Sequence, residues 1–126
     1  MAKSFEELRI WSDARVFVVD IYSLMKDNRD WGFKDQIQRA SVSIMNNIAE
    51  GFDRNSDREK IYFLNVAKGS SSEVKSMLYI AKELEYIDSE RYHQLHCNCV
   101  NISKLLYGLI KSIEKKQATS DKRQET

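Results

Sequence analysis

The chain has 126 residues, of which 42% are hydrophobic and 31% charged, with four glycines, no proline and a formal net charge of +1. This length fits one domain with a hydrophobic core, and the lack of proline favours long helices. Two cysteines, Cys97 and Cys99, exclude a disulfide framework, and a charge near zero excludes strong bulk attraction to nucleic acid.

The sequence predicts neither a membrane-spanning helix nor a secretion signal. No apolar run approaches the ~20 residues that cross a bilayer. The N-terminal segment "MAKSFEELRIW" has no apolar signal-peptide region. We therefore expect a cytoplasmic protein with no membrane partner.

Two amphipathic helices are predicted in the first half. The first covers about residues 5–28, because Ser4 and Glu7 match a capping box and an apolar stripe follows. The second covers about residues 33–54 and ends before Asn55, which we expect to adopt left-handed backbone. The first stripe is Ile10, Ala14, Phe17, Val18, Ile21, Leu24 and Met25; the second is Phe33, Ile37, Ala40, Val42, Ile44, Met45, Ile48, Ala49 and Phe52.

Two further helices are predicted in the second half. The third covers about residues 57–85 and begins at a capping box of Ser56 and Glu59. The turn "YID" leads into the fourth, about residues 89–116, with Asp88 or Ser89 as its cap. The predicted core of the third is Phe63, Val66, Ala67, Ser70, Val74, Met77, Ala81 and Leu84; that of the fourth is Tyr92, Leu95, Cys99, Ile102, Leu106, Leu109 and Ile113.

Short connections between long helices predict the arrangement of the chain. The expected fold class is all-α, an antiparallel up-down four-helix bundle over residues 1–116. Residues 117–126 contain no apolar residue larger than alanine and are expected to be disordered.

The third helix carries apolar residues outside its core stripe. Tyr62 and Ile80 project to another side with Gly69 between them, and glycine lets a second backbone approach closely. Two apolar sides favour two packing partners, the bundle and another copy of the chain. The alternative is that Tyr62 and Ile80 are scattered surface residues. The candidate interface residues are Asn47, Tyr62, Gly69, Glu73 and Ile80, with the acids Asp13, Asp20 and Asp27.

On the second helix, Gln36, Arg39 and Glu50 are expected on the solvent-exposed side. Charged residues on this side are expected to pair with each other at i,i+4 spacing. Asn47 lies at the edge of the apolar arc, where its amide could bridge to a neighbouring helix.

Charges are segregated by helix. Lysines recur every seven residues on the third helix, a second line follows on the fourth, and acids recur every seven residues on the first. Three interpretations stay open: the lines are solvated surface, they pair between subunits, or the lysines bind phosphates.

The phosphate interpretation predicts a protein that binds structured RNA or DNA without strong sequence preference. The candidate residues are Lys68, Lys75, Lys82, Lys104, Lys111 and Lys115, and the second-ranked candidates are Arg39 and Arg54. Aromatic residues for base stacking are not obviously interleaved with the lysines, which counts against recognition of a specific base sequence. The alternative function is a protein-binding scaffold or adaptor with no nucleic-acid role.

The sequence contains no complete catalytic constellation. Glu90 and His93 have the Glu-x-x-His spacing of di-iron bundles, but the second such pair is missing. His93 and Cys97 could share a metal ion with a symmetry mate, whereas Cys99 is expected in the core. We expect no enzyme activity, no metal, no cofactor and no small-molecule substrate.

Three segments resemble a bacterial family. "FEELRIW", "QIQRASVSIMNNIAEG" and "YFLNVAKGSSSEV" are similar to the four-helix-bundle proteins encoded by intervening sequences in 23S rRNA genes, also labelled the S23 ribosomal protein family. The resemblance covers residues 5 to about 113 and implies a bundle that assembles into a homopentamer. The family includes an accessory protein of diversity-generating retroelements whose basic surface binds nucleic acid; the net charge of +1 departs from that relative.

Overall fold

The structure is a computed structural model that describes residues 2–125, with the side chains of Glu7 and residues 121–125 left out. A 3-10 turn at Phe5–Glu7 is followed by four helices, and the described residues contain no strand. The helices are α1 (Arg9–Met25), α2 (Trp31–Asp53), α3 (Asp57–Glu83) and α4 (Ser89–Glu125). The predicted all-α class is confirmed. Within the described part of the chain, no helix is long and apolar enough to cross a membrane.

The helices pack into a bundle in which each contacts its neighbours in the chain and α1 also contacts α4. One stripe of each helix supplies the core, because apolar residues recur at three- and four-residue steps. The largest fully buried side chains include Phe17, Ile21, Met25, Ile37, Ile44, Ile48, Val74, Leu78, Leu95, Cys99 and Leu106.

Asp30 joins the two connections at one end of the bundle. Its carboxylate caps α2 by accepting a hydrogen bond from the Phe33 amide at 3.2 Å, and it accepts another from the Tyr86 hydroxyl at 2.6 Å. The rings of Phe33 and Tyr86 meet edge to face, with centroids 5.4 Å apart. The α1–α2 connection is therefore tied to the α3–α4 connection.

These contacts predict a pH dependence. The Tyr86 hydroxyl, followed by the Phe33 amide, lowers the pKa of Asp30 below its ordinary value, so Tyr86→Phe is expected to raise that pKa. Because the folded-state pKa is the lower one, the bonds stabilise the fold above the unfolded-state pKa. That stabilisation is lost as the pH falls through the folded-state pKa. NMR titration of the Asp30 carboxyl measures the shift, with Tyr22→Phe on α1 as control; equal pKa values in the Tyr86→Phe and unsubstituted proteins would contradict the assigned bond.

Several predicted helix ends are corrected by the structure. Ser4 forms no side-chain capping bond, and α1 begins only at Arg9 after the 3-10 turn. Helix α2 begins at Trp31 because Asp30 supplies its cap. Asn55 is not left-handed: among the described non-glycine residues only Glu85 has a positive φ, 62°.

Glu85 terminates α3 in a Schellman motif. The Tyr86 amide donates to the Ala81 carbonyl at 2.8 Å and the Glu85 amide to the Lys82 carbonyl at 3.1 Å. Two predicted caps are confirmed. Ser56 accepts from the Glu59 amide at 3.1 Å, and Asp88 accepts from the Arg91 amide at 2.7 Å.

Helix α4 continues through the segment for which the sequence predicts disorder. Its backbone is helical to Glu125, while Thr126 lies outside the described residues. No glycine or proline follows Gly108, so no residue interrupts the backbone hydrogen bonds even where apolar side chains for packing run out.

The predicted core stripe of α3 is rotated relative to the observed one. Val66 and Leu84, predicted as core residues, are 36% and 49% exposed. The buried residues are Leu64, Ala67, Ser71, Val74, Leu78 and Ala81. Two apolar stripes lie on adjacent sides of this helix, and only packing against α2 and α4 selects between them. In α4, Ile110 is buried, whereas Leu109 and Ile113 are partly buried.

Candidate functional surfaces

Two sides of α3 carry most of the candidate residues. The side toward α4, here the lysine–aromatic face, consists of Lys68, Lys75, Tyr79 and Lys82 of α3 with Tyr92, His96, Lys104, Tyr107 and Lys111 of α4. The side toward α2, here the α2–α3 face, consists of Gln36, Ser43 and Asn47 of α2 with Tyr62, Val66, Gly69, Ser70, Glu73 and Ile80 of α3. The two faces differ in chemistry.

Lysines and aromatic rings alternate on the lysine–aromatic face. The ammonium groups of Lys68 and Lys111 lie 5.3 and 5.4 Å from the Tyr107 ring centroid. That of Lys82 lies 4.8 Å from the Tyr92 ring. Such cation–π contacts hold the ammonium groups along the α3–α4 seam. The prediction that aromatic residues are not obviously interleaved with the lysines is wrong: Lys68 and Lys82 contact rings of the neighbouring helix, and Lys111 contacts Tyr107 of its own helix.

Acidic groups are scarce on this face. Lys111 pairs with Glu114 at 3.5 Å, whereas Lys68, Lys75, Lys82 and Lys104 form no ion pair with any described side chain. The sequence contains no Asp or Glu from residue 91 to residue 113. Apart from Lys111, the lysines of the face therefore present positive charge that no described carboxylate neutralises.

A small pocket lies within the face between α3 and α4. It measures about 110 Å³ and is lined by Lys75 and Lys104, the hydroxyl-bearing Ser72 and Ser103, and Cys99. Cys99 is buried, as predicted, and its thiol donates to the Ser71 carbonyl at 3.2 Å. Burial raises the pKa of the Cys99 thiol to about 11, with Lys75 acting in the opposite direction. The thiol is therefore neutral near pH 7.

The cysteines are expected to differ in reactivity. Cys97 is exposed and Cys99 is buried, and only an accessible thiolate reacts with an alkylating reagent. Iodoacetamide at about pH 8 should therefore label Cys97 alone in the native protein and both cysteines after denaturation. Peptide mass spectrometry identifies the labelled residues, and Cys97→Ser is the control that should remove native labelling. Rapid native labelling of Cys99 would contradict its burial.

Aromatic rings cluster at the other end of the face. The Tyr79 hydroxyl lies 3.5 Å from Nε2 of His96, and the two ring centroids are 5.6 Å apart. Tyr92 lies against both histidines, with centroid distances of 5.6 Å to His93 and 5.4 Å to His96. No group of three or more His, Cys, Asp or Glu among the described residues is placed to hold a metal ion.

The α2–α3 face is bridged by polar side chains. The Gln36 amide donates to the Glu73 carboxylate at 3.1 Å, and the hydroxyl oxygens of Ser43 and Ser70 are 2.7 Å apart. Gln36 is exposed, as predicted, but its amide bonds to α3 rather than to a residue of its own helix. Asn47 does not bridge helices, because its amide donates to the Ser43 carbonyl of its own helix at 2.8 Å.

Apolar groups on the α2–α3 face remain uncovered by the chain itself. Tyr62 is 63% exposed and Ile80 is 46% exposed. A Cβ atom at Gly69 would meet no atom within 4 Å. By contrast, a Cβ at Gly51 would lie 3.3 Å from both the Lys60 carbonyl oxygen and the Phe63 Cβ. Packing within one chain therefore explains Gly51 and leaves Gly69 unexplained.

The remaining cationic candidates lie apart from the lysine–aromatic face. Arg39 pairs with Asp35 at 2.9 Å. Arg54 pairs with Glu50 and lies over the Phe63 ring at 4.6 Å. Both arginines are thus paired with carboxylates of α2, and Arg54 also contacts a ring of α3. Lys115 is exposed on α4.

The acidic candidates belong to α1 and the turn after it. Asp13 pairs with Arg9 at 3.7 Å and borders a groove of about 590 Å³ between α1 and α4. Asp20 is half-buried and Asp27 is exposed. Within one chain these acids form no ion pair with the lysine lines.

Comparisons with known proteins define the family. The model of a family described as 23S rRNA-intervening sequence protein matches residues 6–108. One similar solved structure, a protein of unknown function from the S23 ribosomal protein family of Bacteroides thetaiotaomicron, is 28% identical with a TM-score of 0.77. That similarity covers 81% of this chain and 98% of the other. Comparison with curated proteins finds no significant match. The resemblance is confirmed, and the chain belongs to the 23S rRNA-intervening sequence protein family.

Proposed function

We propose that this protein is a non-enzymatic, homo-oligomeric bundle of the cytoplasm that binds RNA or DNA through its lysine–aromatic face. One observation carries the proposal: α3 and α4 bring Lys68, Lys75, Lys82 and Lys104 to one side, and none of them is paired with a described carboxylate. Unpaired lysines in a row can release the counterions of a phosphate backbone, which is the main source of non-specific affinity for nucleic acids.

The proposal predicts salt-dependent binding. Titration of a structured RNA and of duplex DNA, each at about 50 and about 200 mM salt, should show affinity falling steeply as salt increases. If neither the structured RNA nor the duplex DNA binds at the lower salt, the nucleic-acid role is overturned.

Assembly is the second part of the proposal. The proposed assembly unit is an antiparallel up-down bundle; the α2–α3 pair supports it, because residue numbers rise along α2 and fall along α3 from the Gln36–Glu73 pair to the Ser43–Ser70 pair. Identical copies then cover the exposed Tyr62, Ile80 and Gly69 of the α2–α3 face, and the family resemblance makes five the expected number. Light scattering should give several times the chain mass of 14.8 kDa; a single-chain mass at micromolar concentration would overturn assembly.

The proposal includes no catalytic step. His93 and His96 make edge-to-face contacts with tyrosine rings, and Cys99 is a buried neutral thiol, so these groups are not arranged as an activated nucleophile and its base.

A protein-binding scaffold is the second candidate function. It is favoured by the groove between α1 and α4, where Val16 and Leu105 are exposed beside the buried Phe17 and Ile102. A pull-down with and without nuclease separates the candidates, because only a nucleic-acid-mediated partner is released by nuclease.

A further inference from the structure

We infer that the lysine–aromatic face prefers single-stranded polynucleotide over duplex, with bases stacked on Tyr79 and Tyr107 and a phosphate held between Lys75 and Lys104. This inference rests on the proposed nucleic-acid role and specifies its ligand. It depends on the order in which rings and cations follow each other along the α3–α4 seam.

The seam presents ring, cation and ring in succession. His96, in edge-to-face contact with Tyr79, marks one end, the pocket around Lys104 follows, and Tyr107 lies beyond it. His96 and Tyr107 are about 16 Å apart along α4 at ~1.5 Å per residue. This spacing leaves room for a short run of extended nucleotides between two stacking positions. Proteins that bind single strands combine a positive groove with aromatic side chains in this way.

The two tyrosine rings are accessible to a ligand. Tyr79 is 49% exposed and Tyr107 is 52% exposed. Tyr92 lies buried behind the cluster and contacts Tyr79 with a centroid distance of 5.9 Å, so it supports the Tyr79 ring from the core side. The ammonium groups of Lys68 and Lys111 lie over the Tyr107 ring, so a base that stacks on this ring displaces an ammonium group, which can then meet a neighbouring phosphate.

The pocket between the stacking positions suits a phosphate. Its volume of about 110 Å³ is lined by Lys75 and Lys104 and by Ser72 and Ser103, whose side chains carry ammonium and hydroxyl groups. All four groups can donate hydrogen bonds to phosphate oxygens. Neither lysine is paired with a described carboxylate, so a phosphate would not displace an existing ion pair.

Stacking distinguishes a single strand from a duplex. Unpaired bases expose their faces to Tyr79 and Tyr107, whereas the bases of a duplex are stacked on each other and present only edges and backbone. Both ligands can use the lysines, and only the single strand can use the rings. Because every base has a stacking face, weak sequence preference is expected.

Fluorescence anisotropy with defined probes tests the inference. The probes are labelled oligouridylate and oligothymidylate of about 12 nucleotides and a mixed-sequence duplex of the same length, at about 50 mM salt. The single strands should bind about tenfold or more tightly than the duplex. Comparing the affinity for oligouridylate with that for oligothymidylate shows whether the face prefers RNA or DNA.

Tyrosine variants connect this preference to the rings. Tyr79→Leu and Tyr107→Leu should each weaken single-strand binding about tenfold and duplex binding less than about twofold, while the phenylalanine variants keep the affinity. Both side chains are exposed, so folding should be retained, and circular dichroism verifies it. Tyr22→Leu, an exposed tyrosine on α1, is the matched control without effect.

The outcomes separate this inference from the proposed function. If duplex and single strands bind equally, or if the leucine variants weaken both equally, the inference is overturned and the nucleic-acid role stands. If none of the probes binds at low salt, both are overturned. Selective loss of single-strand binding in the two leucine variants supports the inference.

Discussion

Replacing Lys75 and Lys104 together by glutamate is expected to weaken polynucleotide binding at least about 100-fold at low salt. Each substitution removes a cation that displaces counterions and adds a charge that repels phosphate. The slope of log affinity against log salt should also become shallower by about 2. Both lysines are exposed and unpaired with described carboxylates, so the fold should tolerate their replacement.

A matched control distinguishes the face from net charge. Arg15 on α1 and Arg58 at the start of α3 are also exposed and lie outside the lysine–aromatic face. Their double glutamate variant changes the net charge by the same amount and should retain most of the affinity. Equal losses in the two double variants would show that total charge, rather than this face, governs binding.

Gly69→Leu is expected to reduce the assembly to chains of 14.8 kDa while helicity is retained. A Cβ at this position meets nothing within 4 Å, and leucine favours helix over glycine by about 1 kcal/mol. The larger side chain should block close approach of another copy at the α2–α3 face. Sedimentation velocity measures the mass and circular dichroism measures the helicity.

Gly51→Leu provides the contrast for Gly69→Leu. At Gly51 the added Cβ would lie 3.3 Å from the Lys60 carbonyl oxygen and the Phe63 Cβ, so overpacking should cost the fold about 1–3 kcal/mol. This variant should lower the unfolding midpoint, whereas Gly69→Leu should not. Ile80→Lys is a second test of the face. Unchanged mass in both Gly69→Leu and Ile80→Lys would place assembly elsewhere.

The two faces make binding and assembly separable. The lysine variant should leave the mass unchanged, because Lys75 and Lys104 do not belong to the α2–α3 face. The Gly69→Leu chain should still contact nucleic acid through its own lysines but with lower apparent affinity, because linked copies raise the effective concentration of neighbouring sites.

Much of the fold could be predicted locally. The caps at Ser56 and Asp88 and the buried stripe of α1 follow from residue type and helical period. The family resemblance depended on three short segments, one of which ends at Gly51. The exposed positions of Tyr62 and Ile80 were also correctly predicted. Each of these features depends on residues a few positions apart in one helix.

The sequence by itself therefore determined four amphipathic helices, the first residues of α3 and α4 and the exposed apolar residues of α3. Only the tertiary structure decided which stripe of α3 is buried, that Asp30 meets Tyr86, and that Lys68 lies over the Tyr107 ring. The physical reason is that helical period sets relative angles within one helix, while the rotation of each helix and its cross-helix neighbours are set by packing against the others.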